Sequence, residues 1–105
     1  MTSYRTAYNR IVNGMLTMTE ASGNAVDGAA AARCIDEANM FKDELDALTA
    51  AQLKTSSKQY QALTAAMKQS KQRLDELSQE IADLVKTAET VAKVVAALAK
   101  IITLL

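Results

Sequence analysis

Residues 53–105, the second half of the chain, carry an apolar residue at almost every third or fourth position. Alternating steps of three and four reach sixteen positions there, and fourteen of them are apolar. This is the pattern of a coiled-coil seam, in which the apolar residues of each heptad share one helix face. No glycine or proline interrupts it, so we predict a long C-terminal helix over residues 57–105. The seam consists of Leu53, Ser56, Tyr60, Leu63, Met67, Ser70, Leu74, Leu77, Ile81, Leu84, Ala88, Val91, Val95, Leu98, Ile102 and Leu105.

Two shorter amphipathic patterns precede this seam and predict helices over about residues 3–19 and 27–50. The stripe of the first is Tyr4, Tyr8, Ile11, Met15 and Met18, and the seam of the second is Ala31, Cys34, Ala38, Phe41, Leu45 and Leu48. Asn13-Gly14 resembles a turn locally, but the stripe continues in phase across it, so we keep that helix intact and expect a weak point of about 1 kcal/mol there. Ser-Gly-Asn at 22–24 predicts a turn, and Asp27 either extends that turn or caps the second helix.

The second and third helices cannot form one continuous helix, because the apolar seam changes phase between them. The twelve residues from Leu48 to Tyr60 fit neither a heptad nor a four-residue insertion. We therefore predict that the chain reverses near residues 49–57 and forms an antiparallel helical hairpin. In this arrangement the acidic stretch 36–46 lies beside the basic stretch 54–73, and such complementary flanks favour the pairing.

These elements together predict a single all-α domain over residues 1–105. It is an antiparallel hairpin or three-helix bundle with a long, coiled-coil-like C-terminal helix. Residues 84–105 are its most apolar part, with a stripe wider than a two-helix seam requires. Either the long helix bends near Thr87 and folds back as a fourth helix, or it extends beyond the hairpin and a partner covers it. The residues that we expect to make the interaction are Leu84, Val91, Val94, Val95, Leu98, Ile101, Ile102 and Leu105.

The composition argues against catalysis and against nucleic-acid binding. The chain has no histidine, which removes the commonest general base and the commonest zinc ligand. Its twelve basic and twelve acidic residues cancel, so no net positive charge favours a polyanion. Cys34 lies on the second seam and is expected to be an inert core residue. Asp43 and Glu44 are expected to be surface charges. We expect no catalytic site, no cofactor and no metal.

The sequence therefore favours a non-enzymatic assembly module that packs its C-terminal helix against copies of itself or against a partner's helix. The alternative is a membrane-active protein that places residues 84–105 in a bilayer interface. That segment lacks the aromatic residues that usually anchor interfacial helices, so we do not favour the alternative.

In its abundance of Ala, Ser, Thr and Gln and its apolar C-terminus, the chain resembles small helical proteins of bacterial secretion systems, their chaperones and phage proteins. This resemblance implies a small subunit or chaperone. Residues 1–10 lack the apolar region of a signal peptide, so we expect a protein that is cytoplasmic or exported without a cleaved signal.

Overall fold

The computed structural model describes residues 4–54 and 63–105, and the regular elements in these two ranges are all α-helices. The all-α prediction is confirmed. In chain order the helices are α1 (Tyr4–Gly23), α2 (Gly28–Lys54), α3 (Ala65–Lys68), α4 (Lys71–Leu84) and α5 (Ala88–Ile102). The first two helices each continue four residues beyond their predicted ends.

Helices α1 and α2 run antiparallel and share the most extensive contact among the described helices. Small residues allow this approach, since Ala7, Gly14 and Ala21 are buried on α1 and Ala30, Cys34 and Ala38 are buried on α2. The carboxylate of Asp27 accepts a hydrogen bond from the amide of Ala30 at 2.8 Å. Asp27 therefore caps the start of α2 and supplies a partner for one of its free amides.

Helix α4 runs antiparallel to α2, and charged side chains connect these two helices. Glu37 on α2 accepts two hydrogen bonds from Arg73 on α4, at 2.9 and 3.1 Å. Arg33, one turn earlier, pairs with Glu80. The predicted hairpin is therefore present. The predicted reversal at 49–57 is wrong for residues 49–54, because α2 continues through Lys54. The rest of it lies outside the described residues.

The predicted continuous helix over 57–105 is wrong, because the described part of that range contains two breaks. The first separates α3 from α4, where the buried Ser70 hydroxyl donates to the Met67 carbonyl at 2.6 Å. The second falls at residues 85–87, where Val85 and Thr87 adopt extended backbone conformations. The bend near Thr87 is thus the correct alternative. Helix α5 folds back along α4 and α1, and α1, α2, α4 and α5 form an up-down-up-down bundle.

The second break lies beside the α1–α2 loop, and the two loops are hydrogen-bonded to each other. The side-chain oxygen of Asn24 accepts from the amides of Lys86 and Thr87, at 3.2 and 3.1 Å. The backbone carbonyl of Asn24 accepts from the Lys86 amide at 2.9 Å. In the opposite direction, the amide of Val26 donates to the carbonyl of Leu84 at 2.9 Å. These bonds hold the α1–α2 and α4–α5 hairpins together at one end of the bundle.

Candidate interaction surface

Helix α5 is fixed at both ends and along one side. At its start, Thr87 accepts a hydrogen bond from the amide of Thr90 at 3.3 Å. At its end, Arg10 of α1 donates to the hydroxyl of Thr103 at 2.8 Å. Between them, Lys93 pairs with Glu20 of α1 at 3.1 Å. These contacts set the rotation of α5 about its axis and so determine which residues face outward.

The inner face of α5 completes the bundle core. Its buried residues are Thr90, Val94, Ala97, Leu98 and Ile101. The buried positions of α5 are shifted from the predicted seam by about one residue towards the N-terminus, because the extended residues at 85–87 interrupt the helical repeat. The interruption turns much of the predicted α5 seam away from the core.

The eight predicted interaction residues therefore fall into three groups. Val94, Leu98 and Ile101 are fully buried inside the bundle. Leu84, Val91, Ile102 and Leu105 are partly buried and packed against the edge of the core. Val95 is 40% exposed. Of the eight, Val95 lies furthest out on α5, with Val91 and Ile102 flanking it.

The outer face of α5, defined here as Ala88, Ala92, Val95, Ala96 and Ala99, is a continuous uncharged surface. All five residues are exposed and spaced three or four apart along most of the helix, so they share one side of it. Helix α4 has an ordinary solvated surface by comparison: six of its seven exposed residues are polar, and Ala82 is the exception. Helix α5 therefore carries two apolar faces, and the bundle covers one of them.

Of the four alanines of this outer face, Ala88 lies on the predicted seam, while Ala92, Ala96 and Ala99 do not, and none of the four was among the predicted interaction residues. Alanine is the strongest helix former, so it indicates a helix but not which face of it is buried, and the larger Val, Leu and Ile residues nearby dominated the pattern. The absence of charge from these positions was the available signal, since a solvated helix normally has charged residues on its outward side.

Charged residues line one flank of this face, on the side of α1. They are Glu89, Lys93 and Lys100. Lys93 lies 3.1 Å from Glu20 and 3.6 Å from Glu89. Its hydrogen bond with Glu20, together with attraction to both carboxylates, raises the pKa of Lys93 above its ordinary value. Lys93 is thus already paired within the chain, while the Glu89 side chain remains 80% exposed.

A second candidate is a cleft of about 400 Å³ between α2, α3 and α4. Its walls include Met40, Asp43, Glu44 and Arg73. Glu44 was predicted to be a surface charge, and that prediction is wrong, because the residue is 4% exposed. Its carboxylate accepts hydrogen bonds from the amide and the hydroxyl of Thr64. The buried charge in this cleft is therefore satisfied within the chain and holds α3 in place.

The described residues offer little for metal or thiol chemistry. Within residues 4–54 and 63–105, no group of three or more His, Cys, Asp or Glu side chains is placed to hold a metal ion. Cys34 is fully buried in the core. Burial raises the pKa of its thiol, and the nearby Arg33 lowers it by a smaller amount, so the reactive thiolate is disfavoured.

Comparison with known protein families, curated proteins and solved structures found no match for this chain. The class that the structure defines is an all-α bundle of antiparallel helices with an uncharged face on its last helix.

Proposed function

We propose that this protein is a non-enzymatic assembly module that self-associates by packing the outer face of α5 against another copy. The observation that carries the proposal is the uncharged outer face, with Val95 at its centre 40% exposed. Burial of apolar surface contributes about 25 cal/mol per Å². Covering this face with another helix is therefore favourable.

The size of the face sets the strength of the association. One face of a fifteen-residue helix provides less area than a stable protein–protein interface needs. Alanine side chains compensate in part, because small residues let two helices approach closely and increase van der Waals contact. We therefore expect a dissociation constant in the micromolar range.

A membrane-active role is the alternative. In the described residues, no helix combines the length and the apolar character that crossing a bilayer demands. Interfacial binding would use the same outer face together with attraction between its flanking lysines and anionic lipid. The pairing of Lys93 with Glu20 and Glu89 weakens that attraction. This supports association between protein helices over membrane binding.

Sedimentation velocity over a range of protein concentrations tests the proposal, with Val95→Glu as the disrupting variant. The unmodified chain should show a concentration-dependent increase in mass, and Val95→Glu should remain monomeric, because burying an unpaired carboxylate opposes assembly. Ile35→Glu is the matched control. Ile35 is exposed to a similar degree, 37%, and lies on α2, so this variant should associate like the unmodified chain. Leu98 is unsuitable for the test because it is fully buried.

Two results would contradict the proposal. One is an unmodified chain that stays monomeric at several hundred micromolar protein. The other is association that Val95→Glu leaves unchanged while circular dichroism shows that the variant is folded. Flotation of the monomeric chain with phosphatidylserine vesicles would place the membrane role first.

A further inference from the structure

The positions of the outer face of α5 are spaced almost evenly on either side of Val95. With the half-buried Ile102 as its last member, the central stripe is Ala88, Ala92, Val95, Ala99 and Ile102. Reversing the direction of the helix about Val95 superimposes Ala88 on Ile102 and superimposes Ala92 on Ala99 to within one residue. In an antiparallel pair centred on Val95, Ala88 of one copy therefore lies opposite Ile102 of the other, a small residue against a larger one, and such self-complementarity is what a two-fold interface requires.

The charges on the flank follow the same symmetry. Glu89 and Lys100 are eleven residues apart, which is about three helical turns, so they lie on the same side of α5. Their midpoint falls within one residue of Val95. In an antiparallel pair of α5 helices, Glu89 of each copy therefore lies opposite Lys100 of the other, and two oppositely charged pairs form. In a parallel two-fold pair the charged flanks lie on opposite sides of the interface, so neither pair forms.

We infer that the partner of α5 is a second copy of this chain, packed antiparallel with Val95 on the two-fold axis and with Glu89 and Lys100 paired across the interface. This inference rests on the proposed association through the outer face of α5. The carboxylate of Glu89 is available for this pairing, because its contact with Lys93 within the chain is 3.6 Å long and the side chain is 80% exposed.

Small residues on both sides of the axis fit this geometry. Ala92 of one copy lies beside Ala99 of the other, so the helix backbones can approach closely around the two Val95 side chains. The partner's surface thus matches both the shape and the charge of this face. A helix of another protein would have to reproduce both features.

Cysteine cross-linking of the full chain tests the direction of the pair. In the antiparallel pair the two copies of residue 95 meet, so Val95→Cys should form a disulfide-linked dimer on mild oxidation. The two copies of residue 88 are separated by roughly 21 Å along the helix axis. Because a disulfide requires Cα atoms within about 7 Å, Ala88→Cys should not cross-link. The unmodified chain is the control, since its Cys34 is fully buried.

Charge reversal tests the cross-copy pairs. Glu89→Lys replaces two attractive contacts per dimer with two repulsive ones and should weaken dimerisation about tenfold, since each exposed pair contributes a few-fold to the equilibrium constant. The double variant Glu89→Lys with Lys100→Glu restores both pairs and should recover most of the lost affinity. Thermal melts followed by circular dichroism check that each variant is folded.

Failure of the inference is distinguishable from failure of the proposed function. Cross-linking of Ala88→Cys as readily as Val95→Cys would overturn the antiparallel pair. Unchanged dimerisation of Glu89→Lys would overturn the charge pairing. Both results leave intact an association that Val95→Glu abolishes. If Val95→Glu has no effect on association, the proposed function itself is wrong.

Discussion

Gly14 of α1 packs closely against Ile101 of α5, and substituting alanine there gives a sharp test of the packing. A Cβ atom at residue 14 would lie 2.5 Å from the Cδ1 atom of Ile101, and 3.2 and 3.3 Å from two ring carbons of Phe41. Ile101 and Phe41 are themselves fully buried, so we expect either side chain to move only by displacing its neighbours in the core.

Two opposing effects decide the result. Replacing glycine with alanine inside a helix gains about 1 kcal/mol of intrinsic helix stability. Overpacking a close-packed core costs about 1–3 kcal/mol. The 2.5 Å contact places Gly14→Ala in the upper part of the second range, so we expect a net loss of about 1 kcal/mol in the free energy of unfolding. Urea denaturation measures this loss.

A double-mutant cycle isolates the contact. Ile101→Val removes the Cδ1 atom that the new Cβ would meet, and by itself costs about 1 kcal/mol. Gly14→Ala with Ile101→Val should then lose less stability than the two single variants together, with a coupling energy of about 1 kcal/mol. Gly23→Ala is the control, because nothing lies within 4 Å of a Cβ there; we expect no loss. Strict additivity of the two single variants would refute the reasoning.

Two further predictions concern the ion pairs between α2 and α4 and the buried thiol of Cys34. Arg73→Ala leaves the carboxylate of Glu37, which is 5% exposed, without its partner. We expect the free energy of unfolding, measured by urea denaturation, to fall by about 2–3 kcal/mol. This lies at or below the usual range for breaking a buried ion pair, because Arg73 is itself partly exposed. Arg33→Ala is the matched control and should lose less than about 1 kcal/mol, since that pair is half-exposed. Because Cys34 is fully buried and burial also raises the pKa of its thiol, we expect a disulfide reagent at pH 8 to reach it only when the protein unfolds.

Each of these predictions has a clear contrary result. Equal losses for the Arg73 and Arg33 variants would mean that burial of Glu37 does not govern the energetics of its pair. Rapid reaction of Cys34 in the absence of urea, at a rate comparable to that of a free thiol, would mean that the α1–α2 packing around it opens easily.

The helical content of the bundle could be predicted from the sequence because it depends on local periodicity. Leu63, Met67, Leu74, Leu77 and Ile81 lie on the predicted seam, and all five are buried. The seam failed beyond residue 84, where the break depends on a contact distant in sequence. Asn24 supplies hydrogen-bond acceptors to Lys86 and Thr87, and nothing in the local pattern of residues 85–87 predicts that partner.

The prediction of the candidate site has the same limit. The sequence drew attention to residues 84–105, because their apolar content exceeds what one helical contact can bury. It could not assign residues to faces. Val94 and Val95 are adjacent and chemically identical, yet one is fully buried and the other is 40% exposed. Their difference follows from the rotation of α5, which contacts with Glu20, Arg10 and Asn24 determine.

The hydrogen bonds between the two loops also fix the longitudinal register of the bundle. Helical hairpins with similar apolar stripes can slide past each other by one turn, about 5.4 Å, with their ridges and grooves still engaged. Such a slide would carry Lys86 and Thr87 away from Asn24 and would also separate the amide of Val26 from the carbonyl of Leu84. Because these bonds would break together, the loop pair selects one translational setting of α5. The positions of Glu89, Val95 and Lys100 along the bundle axis are therefore determined by a few polar atoms in the loop that precedes α5.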